Sequence, residues 1–160
     1  MPIAILFYDI VLSVHILAVV VAFGVVFAYP VIDAQIKRAS LEQLPMLHRL
    51  HLVLGRRVIS PAMIVVLIAG VYLAADRDLF GKVWVSVPLV ILFALFAITG
   101  AVLTPTDRKL AELAERDLAA GGGLSAEYDA QNARAALFGS IALGLVVVAI
   151  FFMTAKPGGY

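Results

Sequence analysis

The sequence has no cysteine, and only 14% of its 160 residues carry a charge. Without cysteine the chain forms no disulfide, no thiolate zinc site and no cysteine-ligated iron–sulfur cluster. Its formal net charge of +1 is not the strongly basic balance that nucleic-acid binding requires, so we expect no nucleic acid among its partners. Phosphate-binding loops, nucleotide fingerprints and nucleophile–base motifs are also missing. The sequence therefore offers no catalytic motif from which a reaction follows.

Hydrophobic residues make up 63% of the chain, which is more than a soluble core of this size uses, so we expect lipid to be the main solvent. The length predicts one domain, 1–160. Apolar runs long enough to cross a bilayer lie at about 4–30, 52–75, 83–104 and 135–155. The N-terminus lacks the basic region and cleavage site of a signal peptide, so the first run is expected to be retained. The predicted fold class is all-α, an integral membrane antiparallel four-helix bundle with short cytoplasmic amphipathic segments.

Basic residues are concentrated in two of the three connections between these spans. The connection between the second and third spans carries only Arg77 and Lys82. The other two connections carry Lys37, Arg38, Arg49, Arg56, Arg57, Arg108, Lys109, Arg116 and Arg134. The positive-inside rule places these two basic connections in the cytoplasm and both termini outside. We expect a multi-pass protein of the bacterial inner membrane whose main contact is the lipid bilayer.

Helical periodicity separates an inward face from a lipid face on the first span, which Pro30 is expected to close. The predicted inward face consists of Tyr8, Val11, His15, Ala18, Ala22, Val25 and Tyr29. The predicted lipid face includes Phe7, Val14, Val21 and Phe23. Small residues allow helices to approach closely in membranes. The spacing of small residues predicts two further packing faces, one on the second span and one on the fourth. The first consists of Gly55, Ala62 and Ala69, and the second of Ala136, Ser140 and Gly144. Such faces could also hold a homo-oligomer or a membrane protein partner.

His15 is the strongest candidate for chemistry, because it is the only strongly polar residue between Asp9 and Asp33. A polar side chain inside hydrocarbon is costly and indicates a function by default. A neutral imidazole suits haem iron or another metal, and it can also relay protons. The alternative is structural: the ring nitrogens hydrogen-bond a neighbouring helix.

His48 and His51 share a helix face and could bind one metal ion, although the sequence shows no third ligand. Interfacial, solvated histidines are the alternative. The doublet Arg56–Arg57 is typical of a positive-inside anchor, and it could also bind an anionic headgroup or a haem propionate. Counted along the helices, His15 lies near the midplane while His51 lies near the cytoplasmic end. If haem b binds, we therefore expect His15 to be the only axial histidine of the chain.

Two strings resemble small bacterial four-helix membrane proteins: VHILAVVVAFG around His15 and GRRVISPAMIVVLIAG from Gly55 to Gly70. The chain resembles an uncharacterised bacterial family of predicted integral membrane proteins. More distantly, it is similar to the copper resistance D family and to J-type protoporphyrinogen oxidase-like proteins. In the oxidase-like family a first-span histidine is followed by a glycine-containing stretch, and these positions resemble His15 and Gly24 here. In the same family an arginine-rich entry leads to Pro and then Gly, and these positions resemble Arg56–Arg57, Pro61 and Gly70. The resemblance implies the four-helix fold.

Three hypotheses for the function follow. The first is a small membrane protein that holds haem or a metal ion at His15, in a redox or haem-related role. The second is a non-enzymatic structural or accessory subunit that docks through its small-residue faces. The third is permeation of copper or a small molecule.

Overall fold

A computed structural model, which describes residues 7–159, shows four long helices joined by short turns. They are α1 (Phe7–Ile36), α2 (Leu41–Asp76), α3 (Val83–Ala120) and α4 (Ala126–Ala155). Each is long and apolar enough to cross a membrane, and the described residues contain no strand. The all-α prediction is therefore confirmed, and the chain is a multi-pass membrane protein. The predicted start of the first span, near residue 4, lies outside the described residues.

Helices α2 and α3 are longer than a bilayer requires. Their 36 and 38 residues span roughly 55 Å at 1.5 Å per residue, whereas the hydrocarbon core is about 30 Å thick. Both therefore extend beyond the membrane at the end of the bundle that holds the two basic connections, which we call the basic end. The predicted amphipathic segments are these helical extensions rather than separate elements.

Each of these two helices contains one π-helical turn that ends two residues before a proline. The turn in α2 is Gly55–Ile59, followed by Ser60 and Pro61. The turn in α3 is Ile98–Leu103, followed by Thr104 and Pro105. A proline lacks a backbone donor and its ring clashes with the carbonyl four residues earlier, which lies inside the π turn in both helices. The wider turn accommodates the proline, so both helices continue instead of ending.

The prediction that Pro30 closes the first helix is wrong, and the third helix continues beyond its predicted span 83–104. Helix α1 passes through Pro30 and ends at Ile36. Helix α3 does not end near Pro105, because the π turn before it lets the helix run on to Ala120. The residues after each proline are thereby held on rigid helix. This matters for the acidic residues Asp33 and Asp107.

The bundle core is confirmed where helical periodicity placed it on α1 and α2. Ala18, Ala22, Ala62 and Ala69 are all buried. Their small side chains let α1 and α2 pack closely along the middle of the bundle. Among the residues predicted to face lipid, Phe7, Val14 and Val21 are exposed.

Phe23 was predicted to face lipid, and this is wrong. The ring is only 8% exposed and belongs to the central core. It lies one residue after the fully buried Ala22 and fills the space next to Met63 and Val146. Because the neighbouring small side chains leave this space, a large ring is needed to fill it.

The packing face predicted on α4 is also wrong within one chain. Ala136, Ser140 and Gly144 are exposed, whereas Ala142 and Val146 enter the core. The helix is rotated so that the apolar side chains of Ala142 and Val146 are buried in the core, which gains more contact area than burying Ser140 and Gly144 would. The small-residue face of α4 is therefore left open to lipid.

Candidate functional site

His15 joins α1 to α2 in the part of the bundle away from the basic end. Its Nδ1 atom lies 3.1 Å from the carbonyl oxygen of Val66. A carbonyl oxygen only accepts, so Nδ1 is the protonated nitrogen and Nε2 of the neutral ring keeps a lone pair. The ring rests on Gly70, where an added Cβ would lie 3.0 Å from Cε1 of His15. The imidazole is thus held in one orientation by a hydrogen bond and by the absence of a side chain at Gly70.

His51 lies far from His15 along the bundle. On α2, Val66 is the residue level with His15, and His51 comes fifteen residues earlier. At 1.5 Å per residue the two histidines are separated by roughly 20 Å. Ligands of one iron atom must each lie about 2 Å from it, so one chain cannot supply both.

His48 and His51 contact different partners at the basic end. Nε2 of His48 lies 2.7 Å from the hydroxyl of Tyr128, which joins α2 to α4. The His51 ring packs on the ring of Tyr29 at 4.6 Å, and its Nε2 lies 3.9 Å from Oδ1 of Asp33. Within residues 7–159 no group of three or more His, Cys, Asp or Glu side chains could hold a metal ion. The assignment of these histidines as metal ligands stays a prediction.

Each of these histidines has one buried nitrogen without a hydrogen-bond partner among the described residues. These atoms are Nδ1 of His48 and Nε2 of His51. His48 lies beyond the predicted membrane-spanning segment 52–75. Its pKa is lowered to about 4, mainly because the ring is buried and secondly because of the neighbouring His51. Its imidazole is therefore neutral at pH 7. Buried polar atoms are almost always paired, so an unpaired one calls for an explanation.

A narrow cavity of about 50 Å³ lies between all four helices near the basic end. We call it the basic-end cavity. Its inner part is apolar and includes Phe23, Met63 and Val146. The polar side chains that line it are Tyr29, His51, Thr99, Thr104 and Asp107. Both π turns also contribute to the lining, through Gly55, Ile59, Thr99 and Leu103. This agrees with the frequent occurrence of π turns at functional sites.

Asp107 was not singled out by the sequence analysis, which ended the third span at about residue 104. The structure puts it on α3, three residues beyond the predicted segment 83–104, facing the cavity. Burial, and secondly the negative charge of Asp33, raises the pKa of Asp107 to about 7. One signal was available: Asp33 and Asp107 each follow the proline near the end of an apolar run by two or three residues.

Arg56 and Arg57 are exposed in the π turn of α2. Neither forms a salt bridge within the described residues 7–159. Their guanidinium groups are therefore available to an anion at the membrane boundary, as a lipid headgroup or a propionate would require. The structure does not bring either arginine to His15.

The sequence model of a family described as a predicted integral membrane protein, DUF2269, matches residues 9–157. No curated protein and no solved structure matches the chain. The resemblance to the copper resistance D family and to J-type protoporphyrinogen oxidases is not shown by these matches.

Proposed function

This chain belongs to the DUF2269 family of predicted integral membrane proteins, and we propose that it holds a haem, or another metal ion, through Nε2 of His15. A redox or haem-related role in the membrane follows from this proposal. The observation that carries it is the contact between Nδ1 of His15 and the carbonyl of Val66.

This contact is the one that metal-bound histidines usually make. Donation of the second ring N–H to a backbone carbonyl selects the tautomer, orients the ring and makes the ligating nitrogen more basic. In His15 it leaves Nε2 as the free lone pair, while Gly70 leaves space for the ring to approach α2. The residues present therefore fit an axial ligand.

A haem fits better than a bare ion. A structural metal ion needs about four protein ligands, and among residues 7–159 no group of three or more His, Cys, Asp or Glu side chains could hold one. A haem supplies four nitrogens itself and takes one axial ligand from the protein. When bound, it would supply one-electron chemistry. Arg56 or Arg57 would hold a propionate if the haem extends toward the basic end.

Absorbance of the purified protein tests the proposal. The full-length chain is expressed with haem supplementation, purified in detergent and scanned in the Soret region. We expect a Soret band that His15→Ala abolishes and that the matched variant His51→Ala retains. No band in the wild type, or a band that both variants lose, would overturn the proposal.

A second candidate is an accessory subunit without a cofactor. The observation that favours it is the open small-residue face of α4, formed by Ala136, Ser140 and Gly144. Such a face suits close packing with another helix, from a second copy or from a different membrane protein. In that case the hydrogen bond of His15 is purely structural.

We also propose a bacterial inner membrane location with the basic end in the cytoplasm and both termini outside. The support is the positive-inside rule applied to the two basic connections. In the structure, those two connections lie at the same end of the bundle, since successive helices are antiparallel.

A further inference from the structure

The polar end of the basic-end cavity contains a buried group without a partner. His51 is only 8% exposed, it lines the cavity, and its Nε2 atom has no hydrogen-bond partner among residues 7–159. The nearest carboxylate oxygen, Oδ1 of Asp33, is 3.9 Å away, which is too far for a direct hydrogen bond. A water molecule can bridge polar groups that are too far apart for a direct hydrogen bond.

We propose that the basic-end cavity is a proton-binding site, in which water joins the carboxyl group of Asp107 to Nε2 of His51. Protons reach it from the basic end past Asp33. The proposal does not depend on whether His15 binds haem.

The size and lining of the cavity fit water. A cavity needs at least about 10–15 Å³ to hold a water molecule, and the volume of about 50 Å³ exceeds this minimum. A buried water also needs two to four polar partners. Asp107, His51, Tyr29, Thr99 and Thr104 supply them at one end. The apolar lining confines the water to that end.

The charged and titratable groups around Asp107 leave its carboxylate without a cationic partner from the cavity lining. Helix α1 contributes Tyr29 and Asp33. Helix α2 contributes His51, with His48 next to it. The residues of α4 that line the cavity are not titratable; they are Gly139, Ala142 and Val146. Lys37 acts on Asp33 rather than on Asp107. Within the described chain no ligand set for a metal ion exists here. A proton is the cation that this arrangement can take up.

Asp33 provides the connection to solvent. Its side chain is 50% exposed, whereas the side chain of His51 is 10% exposed. A proton from solution can pass from Asp33 through water to Asp107, whose carboxylate becomes a neutral carboxylic acid. The site gains one positive charge, and no other bond changes. The raised pKa of Asp107 agrees with a group that changes state near pH 7.

Infrared titration of the full-length protein in detergent tests this inference. The C=O stretch of a protonated carboxylic acid is separate from carboxylate bands and shifts in heavy water. We expect a buried carboxylic acid band that disappears as the pH rises through about 7, far above the usual aspartate range near 4. Asp107→Asn should remove this band, while Glu112→Gln, which changes an exposed acid of the same helix, should retain it.

Asp33→Asn provides an independent test if Asp107→Asn does not fold. Removing the negative neighbour should lower the midpoint of the Asp107 band by a measurable fraction of a pH unit or more, because a like charge opposes ionisation. The inference is overturned if no carboxylic acid titrates between about pH 5.5 and about pH 8.5. It is also overturned if the band survives Asp107→Asn, or if Asp33→Asn leaves its midpoint unchanged.

Discussion

Replacing Gly70 by alanine tests how firmly the His15 ring is held between α1 and α2. The new Cβ would lie 3.0 Å from Cε1 and 3.4 Å from Nδ1 of His15, closer than the about 3.5–4.0 Å of a relaxed contact. The ring would have to withdraw by a few tenths of an ångström. Its hydrogen bond to Val66, at 3.1 Å, opposes that movement.

Two effects of similar size determine the result. Alanine is favoured over glycine inside a helix by about 1 kcal/mol. Loss or weakening of a hydrogen bond costs about 0.5–1.5 kcal/mol. In the wild-type background we therefore expect Gly70→Ala to leave the free energy of unfolding nearly unchanged or to lower it slightly. In a His15→Ala background the close contact is gone, and the same substitution should stabilise by about 1 kcal/mol.

The measurement is a double-mutant cycle on unfolding in mixed detergent, with an expected coupling of about 1 kcal/mol between positions 15 and 70. Gly144→Ala is the matched control, because an added Cβ at Gly144 has no atom within 4 Å. It should stabilise by about 1 kcal/mol in both backgrounds. If Gly70→Ala stabilises the wild type as much as Gly144→Ala does, the ring is not held as described.

Tyr128→Phe removes the hydroxyl that lies 2.7 Å from Nε2 of the buried His48, so thermal unfolding should show that the free energy of unfolding falls by about 1–3 kcal/mol. The control Tyr72→Phe, at an exposed tyrosine, should change it little. Equal effects of the two substitutions would contradict a stabilising role for the His48–Tyr128 hydrogen bond. Reporters inserted after Lys37 and within Gly121–Gly123 should be accessible from the cytoplasm, and a reporter at Asp78 from the opposite side. A shared side for Lys37 and Asp78 would refute the four-span arrangement.

The presence of four membrane-spanning helices could be predicted because hydropathy is summed over one continuous segment. Within residues 7–159, each apolar run lies on one of the four long helices. The inward face of α1 followed from periodicity alone, and Ala18 and Ala22 are buried as expected. His15 was identified in the same way, as an isolated polar residue within an apolar helix.

The helix ends and some faces could not be predicted from local rules. Pro30 indicated the end of the first helix, yet α1 continues past it, and α3 continues beyond the predicted span 83–104. For α3 the reason is the π turn Ile98–Leu103, which accommodates Pro105 within a continuous helix. Phe23 and the small-residue face of α4 were assigned wrongly because helix rotation depends on which side chains fill the shared core.

The sequence by itself determined that this chain enters a bilayer as four helices, because the transfer of apolar residues into lipid depends on each segment alone. It also determined that a histidine lies deep in the first of them. Only the tertiary structure decided the partners of that histidine, Val66 and Gly70 on α2. It likewise brought His51 and Asp107, fifty-six positions apart, to one cavity. These neighbours depend on the depth and rotation of each helix, which are settled only when all four helices pack against one another.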